Sequence, residues 1–118
     1  NCFNMAREFE VQNAEEFEKL IKSRDFRVYE ALVSTVLKNL TSKKRHHHAL
    51  SVISTDEDAV YDITIDKQDF HHTLEESLKA YEEQEKYEKC AEIKKAMDWL
   101  EKKKAEKAVS SIVESLAT

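Results

Sequence analysis

Apolar and polar positions change their period along this chain, and each change marks an element. From Arg7 to Gln12 charged and apolar residues alternate, Glu8 and Glu10 against Phe9 and Val11, which predicts a short strand over 7–12. Asn13 then stands three residues before Glu16, the spacing of a capping box, and predicts a helix burying Phe17, Leu20 and Ile21. Ser23, Arg24 and Asp25 interrupt that helix. Beyond them Phe26, Tyr29, Val33, Val36 and Leu40 recur at spacings of three and four, with Leu32 and Leu37 widening the stripe of a second helix. Basic residues of the run from Thr41 to Arg45 suit its C-terminal end.

From His46 the period becomes two. Leu50 and Val52 fall on one face, Ala49 and Ile53 on the other, and Ala59, Tyr61, Ile63 and Ile65 alternate after a polar turn at Thr55–Asp58. This predicts a β-hairpin over about 48–66. A lone hairpin is marginal, so a third strand at 7–12 or a helical cover is required. Asp66 is placed to cap a helix carrying Phe70, Leu74, Leu78 and Tyr81 inward. The stripe loses phase at Gln84, Glu85 and Lys86 and restarts at Tyr87, running through Ala91, Ile93 or Lys94, Met97 and Leu100. Two helices or one bent helix fit this equally. A last stripe, Ala105, Ala108, Val109, Ile112, Val113 and Leu116, has no partner left in a compact fold. It continues the preceding helix outward or packs on another copy.

The fold class expected is α+β: a small antiparallel sheet covered by helices, with a C-terminal helical hairpin and extension. One domain spans 5–118, with 67–118 its helical subregion; Met5 reads as a start and 1–4 as a leader or disordered segment.

Composition narrows the chemistry. The 118 residues contain no glycine and no proline, where ordinary usage would supply roughly eight and six. Phosphate-binding loops, dinucleotide fingerprints, nucleophile elbows and EF-hand loops all need glycine at fixed places, so these are excluded. Charged residues make up 36% of the chain with a net charge of −5, which argues against broad nonspecific binding to nucleic acid or anionic membrane. Two cysteines, Cys2 and Cys90, form no disulfide framework and fit a reducing compartment. No stretch approaches the length of a membrane span, and a cytoplasmic setting is expected.

Within 74–101, Leu74, Leu78, Glu85, Tyr87, Glu88, Ala91, Glu92, Ile93, Met97 and Leu100 stand in a pattern that resembles the UVR motif. That motif is the helical hairpin through which UvrB-like and UvrC-like repair proteins associate, and it occurs in some chaperone adaptors. The likeness covers about a quarter of the chain. Cys90 departs from the motif's alanine, and Lys94 and Lys95 from its Arg-Asp pair. The resemblance implies close helix pairing, with small Ala91 admitting a partner helix and Tyr87 and Leu100 closing the ends. In general style the chain also resembles small uncharacterised proteins of tailed phages, which implies no function.

Candidate chemistry is sparse. His46, His47, His48, His71 and His72 are the one cluster with metal-ligand character. A site would combine His46 and His48, which share a strand face, with His71 or His72 and a carboxylate such as Asp69. The plainer reading is a set of solvent-facing side chains, and no metal or other cofactor is expected. Lys43, Lys44 and Arg45 form the most basic run and could touch phosphate, yet no aromatic stacking signature accompanies them. Nothing in the pattern places Cys90 at a helix N-terminus or beside a base, so a buried structural thiol is expected. Trp99 reads as a core or interface anchor.

The function expected is a non-catalytic protein–protein interaction module that self-associates, with a dimer preferred, through C-terminal helices. Tyr87, Ala91, Met97, Trp99, Leu100, Val109, Ile112 and Leu116 are its partner-binding residues. The alternative is an accessory nucleic-acid-processing factor that uses the basic patch at 43–48 and recruits a partner through the UVR-like hairpin. An enzyme is the least expected class.

Overall fold

The structure, a computed structural model, describes residues 7–117; the leader expected at 1–4, Met5 and Cys2 lie outside the described residues. The chain runs β1 (Glu8–Val11), α1 (Ala14–Lys22), α2 (Phe26–Lys38), β2 (His46–Ser54), β3 (Ala59–Asp66), a 3-10 turn (Lys67–Asp69), α3 (Phe70–Glu83) and α4 (Tyr87–Ala117). The fold is α+β, as expected.

The three strands lie in the order β1-β2-β3. The hairpin is antiparallel, from His46 opposite Asp66 to Ser54 opposite Ala59. Strand β1 is parallel to β2, with Glu8 opposite Ser51 and Val11 opposite Ser54, so the sheet is mixed and not antiparallel throughout. The cause is the connection: a parallel neighbour needs a crossover of a dozen or more residues, which α1 and α2 supply.

Strand β2 begins at His46, two residues before the expected hairpin, and its register shifts between His48 and Leu50. That irregularity lets both Ala49 and Leu50 turn inward, where strict alternation would put them on opposite faces. Phe9, Val11, Leu50, Val52 and Ile65 form the buried face of the sheet. Helix α2 lies on it and is buried on two sides, with Val28, Tyr29 and Ala31 in one cluster beside the sheet and Val33 and Val36 in another with Phe70, Leu74 and Tyr81. Its buried Thr35 hydroxyl donates to the Ala31 carbonyl at 2.9 Å, so no polar group is stranded there. Helix α1 contributes less than predicted: it has no fully buried residue, Phe17 and Leu20 are half-buried, and Ile21 is exposed.

Capping explains the element boundaries. The Glu16 amide donates to Asn13 Oδ1 at 3.0 Å and the Arg27 amide to Asp25 Oδ1 at 3.0 Å. Asp66 accepts from the Gln68 amide at 2.9 Å and so caps the 3-10 turn, one turn earlier than the helix it was expected to cap. Without glycine, α1 and α3 still end in Schellman closures. Arg24 and Glu85 take the left-handed position, at φ 54° and 55°. The Arg24 and Asp25 amides donate to Ile21 and Leu20, and those of Glu85 and Lys86 to Glu82 and Tyr81.

Candidate interaction surface

Helix α4 is two structures in one. Its first half folds back antiparallel on α3, since His71 near the start of α3 meets Glu101 at 2.9 Å while Tyr81 near its end shares a cluster with Cys90. Cys90, Ile93 and Ala96 are the buried residues of this half, and Met97 and Leu100 pack against the same cluster. The inward stripe therefore starts at Cys90. Tyr87, 64% exposed, and Ala91 lie on the solvent side, so Ala91 does not admit α3. Residues 87–117 form one continuous helix.

Every residue from 101 to 117 is exposed. At about 1.5 Å per residue this segment projects roughly 25 Å. The molecule measures 58 × 32 × 27 Å with a radius of gyration of 17.0 Å, against about 13.5 Å for a compact chain of this length. Along the projection Val109, Ile112, Val113 and Leu116 share one face and stand 58–82% exposed. This stripe does not continue the buried one. Ile112 stands nineteen positions beyond Ile93, and at about 100° a step that leaves it roughly 100° round the helix. The helix cannot turn both faces to its own body.

Below the stripe, Lys103 reaches back over the Trp99 ring at 5.6 Å and pairs with Glu106 at 3.5 Å. Trp99 is half-buried. Thus, of the residues expected to bind a partner, Tyr87, Ala91, Val109, Ile112 and Leu116 are open, whereas Met97 and Leu100 already pack against the chain's own core.

The histidines do not converge. His46 and His48 lie on the exposed face of β2, 3.9 Å from Asp66 and 3.4 Å from Asp62. His47 points inward, tilted against Phe70 at 5.6 Å between ring centres, with Nε2 3.0 Å from the Lys44 carbonyl. His71 meets Glu101, and His72 lies 3.7 Å from Glu75. His72, Glu75 and Glu76 offer donor atoms within 4.8 Å of one another, and they are the one such group among the described residues. They stand on an open helix face, where Glu76 also holds Lys79 at 3.5 Å, and offer three donors, one short of the four of a closed zinc site. The Asp62, Asp66 and Glu101 partners follow from tertiary pairing and were not named from sequence; the i,i+3 spacing of His72 and Glu75 was readable.

Lys43 and Lys44 are exposed in the loop after α2. Arg45 is engaged, its Nε donating to Asp66 at 2.9 Å. The Gln68 amide and Arg45 together hold the Asp66 carboxyl below the usual carboxylate range.

A groove of about 560 Å³ opens between α2, the end of α3 and the start of α4, lined among others by Phe26, Glu30, Leu37, Tyr81, Lys86 and Glu92. The Tyr81 ring meets Phe26 edge-on at 4.7 Å, and Lys86 sits 5.5 Å from the Phe26 ring centre. Burial, then the charges of Glu30 and Glu92, push the Tyr81 hydroxyl up to about 12. Cys90 lies in the first turn of α4, contrary to the sequence expectation about helix N-termini. Burial nonetheless dominates and, with Glu82, pushes the thiol up, the direction of an inert side chain.

No helix among the described residues is long and apolar enough to cross a membrane. No protein-family model, curated protein or solved structure matches this chain.

Proposed function

We propose that this protein is a non-catalytic interaction module that self-associates as a dimer through the projecting half of α4. One observation carries the reading: Val109, Ile112, Val113 and Leu116 form a single apolar face, 58–82% exposed, on a helix segment with no buried residue. Contiguous exposed apolar surface of this kind marks an interaction site. Covering it releases roughly 1–2 kcal/mol per side chain, about 10 kcal/mol for two copies. Association itself costs about 4–15 kcal/mol. At the low end of that cost the balance is about 5 kcal/mol, a dissociation constant of about 0.1 mM. The buried, unpaired thiol of Cys90 supports a reducing, cytoplasmic setting.

Sedimentation equilibrium between about 5 µM and 1 mM tests this. A reversible dimer is expected, and Ile112→Asp is expected to weaken it by about a hundredfold while leaving the circular dichroism melt of the dilute protein in place. A clean monomer at 1 mM would end the proposal.

A further inference from the structure

Charge along the projecting segment determines how two copies would lie. Residues 101–107 hold four lysines (Lys102, Lys103, Lys104, Lys107) and two glutamates (Glu101, Glu106), a net of +2, while 108–117 hold Glu114 alone, a net of −1. Parallel pairing would set each lysine cluster beside its own copy at the 8–10 Å spacing of packed helices, within about one Debye length at physiological salt. Antiparallel pairing sets Glu114 of one helix beside Lys107 of the other and leaves Lys102 and Lys103 beyond the overlap.

Side-chain size points the same way. With a two-fold axis between Ser110 and Ser111, Val109 of one copy faces Ile112 of the other, and Ala105 faces Leu116, each pair occurring twice. Of the four apolar layers, two pair small Ala105 with large Leu116 and two pair Val109 with Ile112. The parallel alternative stacks Ala105 on Ala105, which leaves a gap, and Leu116 on Leu116.

We infer that two copies overlap antiparallel, tip across tip, forming a rod with an α+β body at each end. This rests on the self-association proposed above and adds its orientation. The overlap spans residues 104–117, about 21 Å at 1.5 Å per residue. Two molecules of 58 Å length less that overlap make a particle of about 95 Å, and the two Tyr87 positions stand about 70 Å apart. The dimer then presents two identical bodies facing opposite ways, a bivalent spacer that could engage two copies of a ligand too distant for one body to reach.

Two measurements at a concentration that populates the dimer decide the matter. Small-angle X-ray scattering is expected to give a maximum dimension near 95 Å and a two-lobed distance distribution. Tyr87→Cys, with Cys2→Ser and Cys90→Ala and a spin label attached, is expected to show a pair distance of about 70 Å. Tyr87 is exposed, so its replacement spares the core; Cys90→Ala is buried, so the melt of the label background must first be shown to match that of the unmodified chain, and Cys90→Ser serves if it does not. A pair distance under about 25 Å in a dimer overturns the antiparallel overlap and leaves self-association standing. A monomer throughout the concentration series defeats the self-association reading itself.

Discussion

Two isoleucines on one helix offer the sharpest test of the division of α4. Ile93 is 0% exposed and sits among Leu74, Tyr81 and Ala96, whereas Ile112 is 60% exposed and touches no core. Replacing Ile93 by alanine removes three carbons from a packed site, and lost transfer energy plus the residual cavity cost about 2–5 kcal/mol. For a chain of this size about 3 kcal/mol lowers Tm by roughly 12 °C. At Ile112 the same substitution opens no cavity. Alanine is the better helix former by a few tenths of a kcal/mol, so the dilute monomer should change by less than about 0.5 kcal/mol. Urea titrations of both variants at about 5 µM, followed by circular dichroism, give the two stabilities, and sedimentation at about 1 mM adds the second half: Ile112→Ala should weaken the proposed dimer about tenfold or more. Equal losses of stability at low concentration would mean that the tip packs on its own body, and the division of the helix would be wrong.

Tyr81 should make the protein sensitive to alkali. Its hydroxyl titrates near 12 in the folded chain and near 10 when unfolded, so the unfolded state loses its proton first. Stability is fully present below pH 10 and falls as pH rises through 12, by roughly 2–3 kcal/mol in total. Tyr81→Phe should flatten that part of the profile, and an unchanged decline between pH 10 and 12 would refute the assignment. Glu85→Gly should stabilise: a left-handed non-glycine residue costs about 1–2 kcal/mol, glycine returns about 0.5–1 kcal/mol in chain entropy, and the net gain should raise Tm by a few degrees. A fall in Tm would show that the Glu85 side chain holds something else in place.

The elements whose period was long were legible from sequence. Helix α2 carries its stripe over three turns, and the hairpin alternates along both of its strands, so both stood out. Direction was harder. The alternation of Glu8–Val11 reads the same for either orientation, and the parallel pairing was written only in the length of the helical crossover that follows it. On α4 Ile93, Met97 and Leu100 face inward as expected and only the start of the stripe differs, since Cys90 and not Tyr87 or Ala91 meets the core; packing against α3 makes that choice. The histidine partners depend on how distant segments meet, as with His71 and Glu101, and no local spacing announces such a meeting. Loss of phase marked the breaks at Arg24 and Glu85, although the glycines that usually mark Schellman closures are missing.

A projecting helix has to be started somewhere, and initiation is the hard step: the first turn is disfavoured by about a thousandfold. In α4 the turns anchored on α3 supply that start, and residues 101–117 merely propagate it. Cut free, a segment of that length would be marginally helical in water. The exposed apolar face of Val109, Ile112, Val113 and Leu116 therefore exists only while the body beneath it is folded, and a half-folded molecule would lose that face along with its shape.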